Sequence, residues 1–329
     1  MMKKTLVALA AVAVTGGAFA QATMTGAVGF GFESDTTSAN VTTSGFGVEA
    51  AKIVFDVSEP LDGGAKLSAN FGISVNPRGT PAGRDFSLTY TAANGIKVVG
   101  STTEGGDYLT NGIAGAGADF EADMSYTGMV SKTSNDAVSV SFPVAEGMTL
   151  KITHQEPDYA IGTGAAQAAN ALAATTTAAA LIQGHNTASL GYKAGQLVAD
   201  VGYRTYTRQE GSSTVYVASK TRGSVSYDLG AAKIGFGVDA NTYTYGNTKN
   251  SSAVGITIPL GNLTLGAQLL TVQASGNSSA SSNYTRNGGI VGGMYTLSKR
   301  TYMTAQTWAG DVGGTYNDTG YLVSVISTF

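Results

Sequence analysis

Between positions 104 and 123 the chain gathers five carboxylates, Glu104, Asp107, Asp119, Glu121 and Asp123, among glycines and alanines. Carboxylates at this density can ligate a hard cation such as Ca²⁺ or set up a local negative field. Asp119, Glu121 and Asp123 alternate, so an extended backbone would place all three on one side. The segment lacks the glycine turn and the distal glutamate of an EF-hand loop, so the field reading is carried forward and no metal or cofactor is expected. A matching set of bases lies elsewhere. Lys52, Lys66, Lys97, Lys151, Arg204 and Arg222 alternate with apolar neighbours and are expected to point to the polar side of their strands. Acids facing bases across water make a transverse field, in which polar solutes align while apolar ones lose hydration without compensation.

Other chemistry is thinly represented. Histidine is limited to His154 and His185. A serine–histidine hydrolase would need one of them oriented beside an activated serine. Ser189 follows His185 closely, but hydroxyls are abundant throughout, and no catalysis is expected. The run Gly26-Ala27-Val28-Gly29-Phe30-Gly31 superficially looks like a phosphate-cradling loop. It falls within the first expected strand with no helix after it, so the dinucleotide reading fails its structural condition.

The elements that must position these residues begin with an export signal. Lys3 and Lys4 form a positive region, Thr5 to Val14 an apolar one, and Ala18-Phe19-Ala20 a small-x-small cleavage site before Gln21. The apolar run is shorter than the ~20 residues of a spanning helix. Residues 1–20 are therefore expected to be a signal peptide and 21–329 one β-barrel domain.

Charged residues make up 12% of the chain, about half the usual share, yet mean hydropathy is only +0.05. A membrane protein with that value must alternate its polarity instead of running apolar residues together, and transmembrane barrels do so. With no cysteine there is neither a disulfide framework nor a thiolate metal site. The formal charge is −3, and losing Lys3 and Lys4 with the leader makes the mature chain two charges more negative. No basic stripe for a nucleic acid is present.

Period-two segments run from end to end. From Lys66 to Val75, Leu67, Ala69, Phe71, Ile73 and Val75 oppose Lys66, Ser68, Asn70, Gly72 and Ser74. The last segment sets Tyr321, Val323, Val325 and Phe329 on one face, suited to lipid, and closes on an aromatic. Seven short connections, most carrying Gly, Asn or Pro, alternate with eight longer polar ones, near 33–44, 76–83, 104–136, 156–185, 207–219, 246–250, 275–285 and 309–318. This pattern predicts an all-β, antiparallel transmembrane barrel of about sixteen strands, with turns on one rim and loops on the other. The Ala- and Thr-rich stretch 159–182 reads as a surface loop, with a short outer helix as the alternative.

Tyr295-Thr296-Leu297-Ser298-Lys299-Arg300-Thr301 resembles a turn of the general porins of Gram-negative bacteria, in particular the sixteen-stranded trimeric group common in beta-proteobacteria. Support comes from Val225-Ser226-Tyr227-Asp228-Leu229-Gly230-Ala231-Ala232-Lys233 and from terminal Phe329. The resemblance implies a homotrimeric outer-membrane channel for passive diffusion of small hydrophilic solutes and ions. It implies contact with outer-membrane lipid and lipopolysaccharide, and recognition of the C-terminal strand by the barrel-assembly machinery. It also implies a third long loop folded into the lumen, a place occupied in this chain by 104–123. Two rivals stay open. One is a substrate-specific channel, for which Tyr203, Tyr206, Tyr216, Tyr243 and Tyr245 leave room. The other is a plugged structural or adhesive barrel, which the long 156–185 loop would suit.

Overall fold

A computed structural model describes residues 21–36, 41–75, 81–104, 134–155, 184–206, 217–243, 246–275, 283–311 and 317–329. Sixteen strands follow one another: β1 (Gln21–Thr36), β2 (Thr42–Pro60), β3 (Lys66–Val75), β4 (Pro81–Thr91), β5 (Lys97–Glu104), β6 (Ser134–Ala145), β7 (Met148–Gln155), β8 (His185–Ala194), β9 (Leu197–Tyr206), β10 (Val217–Asp228), β11 (Lys233–Tyr243), β12 (Thr248–Leu260), β13 (Leu263–Ser275), β14 (Tyr284–Thr296), β15 (Thr301–Asp311) and β16 (Asn317–Thr328). Each pairs antiparallel with its neighbour in sequence, and β1 closes the ring against β16. The expected strand number and closed architecture both hold.

Closure is what makes the fold possible in lipid. Among the described residues no helix is long and apolar enough to cross a membrane. A closed ladder is the alternative that leaves no strand edge unpaired in hydrocarbon. At the seam the last residue completes the ladder: Gly26 N–H donates to the Phe329 carbonyl at 2.9 Å and Phe329 N–H returns a bond to Gly26 at 3.0 Å. Glycine is required there, because a Cβ at position 26 would run into the Phe329 ring.

Alternation assigns the two faces. Phe71, Ile73, Leu88, Ile152, Val201, Phe236, Val254 and Leu269 point outward and are exposed, as a lipid-facing surface demands. Tyr321, Val323, Val325 and Phe329 share that face, as the sequence predicts. Tyr90, Tyr192, Tyr227 and Tyr295 all lie outward within the last three residues before a short turn. They form a girdle at that rim, where an apolar ring with a wet hydroxyl is stable.

Short turns carry their expected residues. Gly147 (φ 71°) turns the chain between β6 and β7, where a side chain would also meet the Lys193 carbonyl. One boundary differs from the sequence reading. The connection expected at 246–250 is a tight one, closed by Tyr243 N–H donating to the Asn247 carbonyl at 2.8 Å. Strand β12 consequently starts at Thr248, and Lys249 and Asn250 belong to the wall.

Candidate functional site

The inner face is the polar one. Register puts Lys52, Lys66, Lys97, Lys151, Arg204 and Arg222 on it together. Lys52, Lys66, Lys97 and Lys151 are exposed and the two arginines half-buried. Three further cations, Lys220, Lys249 and Arg286, share this face and were missed by the sequence reading. Lys220 carried a usable signal, standing two residues before Arg222 and so on the same side. Lys249 fell in a segment read as loop, and Arg286 at the edge of another.

The register connects these cations. One continuous row of paired residues runs Lys66, Thr91, Lys97, Ser141, Lys151, Ser189, Gly202, Arg222, Asp239, Ser251, Val272, Arg286, crossing from β3 to β14. The adjacent row sets Arg204 directly beside Lys220, then Asn241 and Lys249. Two carboxylates temper the middle. Arg222 donates to Asp200 at 2.9 Å, and Ser224 donates to the other oxygen of the same carboxylate. Lys220 pairs with Asp239 at 3.2 Å, and Asn241 donates to Asp239 at 2.7 Å. Arg204 donates to the Thr187 hydroxyl at 2.9 Å and lies 5.8 Å from the Tyr206 ring centre. Arg286 lies over Tyr284 at 4.3 Å.

Carboxylates gather on the other side. Glu33 and Asp35 of β1 and Glu49 and Asp56 of β2 face inward. Strands β9 and β10 stand eight places from β1 and β2 in the ring, hence across the lumen. The wall therefore carries opposed charges of its own. At the short-turn end, Gln21, Thr23, Asp56, Ser58, Lys66 and Asn70 line a cavity of about 400 Å³, with Asn70 donating to Asp56 at 2.6 Å.

Other expected chemistry separates in space. His154 faces outward, its Nδ1 2.8 Å from Asn186 Oδ1, whereas His185 faces inward, buried against Tyr206 with ring centres 5.5 Å apart. Ser189 stands four residues along the strand from His185, about 13 Å away. No histidine–serine pair forms there. Tyr203 points to lipid, while Tyr206 and Tyr243 line the inner face; Tyr216 and Tyr245 lie outside the described residues. Gly26–Gly31 lies within β1 as expected. Glu104 is the last residue of β5; Asp107, Asp119, Glu121 and Asp123 lie outside the described residues, as do 1–20 and 159–182. Among the described residues no group of three His, Cys, Asp or Glu side chains is placed to hold a metal.

The sequence pattern of a family described as Gram-negative porin matches residues 5–315. No curated protein sequence matches the chain. Solved structures share its fold at low identity. An anion-selective porin from Comamonas acidovorans superposes with a TM-score of 0.66 at 14% identity, covering 94% of this chain and 100% of that one. A multiply substituted porin of Rh. blastica gives 0.65 at 13%, with coverage of 94% and 100%. OmpT, an outer membrane protein of Vibrio cholerae with one loop deleted, gives 0.63 at 14%, covering 94% and 99%.

Proposed function

Since the chain belongs to the Gram-negative porin family, a family of non-enzymatic outer-membrane barrels, we propose that it is a passive diffusion channel for small hydrophilic solutes and ions. The observation that carries this is the closed sixteen-strand ring with a charged inner face and an apolar outer one. Rings of this size leave an aqueous channel once the wall side chains are placed. Solutes move down their gradients, and no bond is made or broken. Charge rows on opposite walls order the water and polar solutes between them, whereas an apolar solute entering that field gives up hydration without a replacement.

The acidic segment with Glu104, Asp107, Asp119, Glu121 and Asp123 folds inward in this proposal and narrows the lumen against the basic wall. Its place after the fifth strand supports that reading. Residues 1–20 direct export and are removed before Gln21. Three copies assemble in the outer membrane against lipid and lipopolysaccharide, after the C-terminal strand ending in Phe329 is read by the barrel-assembly machinery.

Detergent-purified protein in a planar bilayer should give stepwise, long-lived openings, commonly in threes. A silent bilayer, from protein whose heat-shifted gel mobility shows a folded barrel, would overturn the channel and leave a plugged structural barrel. The inward segment has its own test. Asp119→Asn with Glu121→Gln and Asp123→Asn should move ion selectivity toward anions; unchanged selectivity would put the segment outside the pore.

A further inference from the structure

We infer that the channel prefers anions and passes them along a stair of cations built on one hydrogen-bonded row of its wall, an inference that rests on the open-pore reading above. Five cations occupy that row, Lys66, Lys97, Lys151, Arg222 and Arg286, against a single carboxylate, Asp239. Asp239 is engaged by Lys220 of the neighbouring row. Arg222 is matched by Asp200. Among the described residues, Lys66, Lys97, Lys151 and Arg286 make no ion pair, and no described inward side chain from β3 to β8 is a carboxylate.

The row climbs the pore. Strands lie about 4.8 Å apart and tilt by about 40°, so each step across the sheet rises about 3 Å along the axis. From β3 to β14 this amounts to about 30–35 Å, more than the apolar band of an outer-membrane barrel, about 25 Å tall. Residue positions agree. Lys66 and Lys97 open their strands at the short-turn rim, and Lys151 is fourth in β7. Arg222 is seventh from the short-turn end of β10, and Arg286 is third from the long-loop end of β14.

Spacing suits a hopping ion. The three lysines stand on every second strand, about 10 Å apart, close to the Debye length of about 8 Å at physiological salt. Midway between two of them an anion is about 5 Å from each ammonium, within that length, so it feels the next before it has left the last. Lysine also suits release, since a hydrated point charge on a flexible stem holds an anion loosely. The acids on β1 and β2 repel anions from across the lumen and press them toward the middle of the stair, on β7 to β10.

Reversal potential across a planar bilayer under a steep KCl gradient tests the inference. Wild-type protein should favour Cl⁻ over K⁺, and the triple variant Lys66→Gln, Lys97→Gln, Lys151→Gln should lower the permeability ratio by roughly threefold or more. Lys299→Gln with Arg300→Gln, which removes charge from the exposed 297–300 turn, should leave the ratio unchanged. K⁺ preference in the wild type, an unchanged ratio in the triple variant, or an equal shift in the turn variant would each overturn the stair. If the triple variant does not fold, the three single variants give the same reading, each with part of the shift. Openings without anion preference sink the stair and spare the channel, whereas a silent bilayer removes both.

Discussion

The seam of the barrel and the wall across from it are built from different residues. At the seam, β16 and β1 turn Ile326, Leu322 and Ala27 inward, all buried, and Ile326 is 0% exposed. On the next strand the single tryptophan, Trp308, fills the space where a Cβ at Gly320 would stand. On the outside, Phe32 meets Phe46 edge-on at 5.0 Å and stacks near Tyr321 at 6.1 Å. The facing strands, β9 and β10, instead carry Arg204, Lys220, Arg222 and Asp200 on their inner side. A ring cannot close without its last strand pairing to its first, so apolar packing there stabilises the fold. The cation row runs instead from β3 to β14, away from the seam, whose own inward charges are the acids Glu33 and Asp35. Stability and selectivity should therefore be separable by sector.

The largest effect expected is at the seam. Ile326→Ala removes a fully buried side chain and should cost about 2–5 kcal/mol. Urea unfolding in lipid vesicles, followed by Trp308 fluorescence, measures it, with the reporter on the strand beside β16. The ion preference of whatever folds should match the wild type. A shifted reversal potential at undiminished stability would break the division between sectors.

Next in size is the clash built into the closure. Gly26→Ala pushes a methyl group into the Phe329 ring and toward the Lys52 carbonyl, an overpacking worth about 1–3 kcal/mol. Adding Phe329→Ala removes the ring half of the conflict, so the double variant should lose less than the sum of the singles. Strict additivity would mean that the terminal ring does not set the need for glycine.

Across the lumen the balance reverses. Asp200→Asn weakens the charge-assisted bond from Arg222 and the bond from Ser224, costing about 1–2 kcal/mol in a half-buried setting. Its main result should be electrical: Arg222 loses its counter-charge, and selectivity should move toward anions. A stability loss larger than that of Ile326→Ala would show that the ion network holds the barrel closed after all.

Much of this was legible in the sequence because a barrel wall obeys a period of two. Leu67 to Ile73 and Tyr321 to Val325 declare their outward face by alternation alone, and the turn at Gly147 declares itself by its glycine. Six wall cations followed by the same rule. What stayed hidden depends on register. Lys66 and Arg286 are 220 positions apart in sequence and meet on one row only through eleven successive pairings, none encoded locally. Lys249 was hidden for a simpler reason: the strand runs further toward the loop rim than its Asn- and Ser-rich composition announces.

The tyrosine girdle provides the smallest expected effect and the control for the division. Tyr90, Tyr192, Tyr227 and Tyr295 are spread around the ring on β4, β8, β10 and β14 and face outward, so they belong neither to the seam packing nor to the charged inner face. Tyr227 donates its hydroxyl to Gln196 at 2.9 Å on the exposed outer rim, where water can replace the partner. Tyr227→Phe should thus change stability by less than about 1 kcal/mol and leave the reversal potential in place. The residue stands on β10, one position from inward-facing Ser226 and five from Arg222. A selectivity shift from so near the charged wall, with the charges untouched, would mean that the strand itself had moved. Selectivity would then follow strand position as well as side-chain charge.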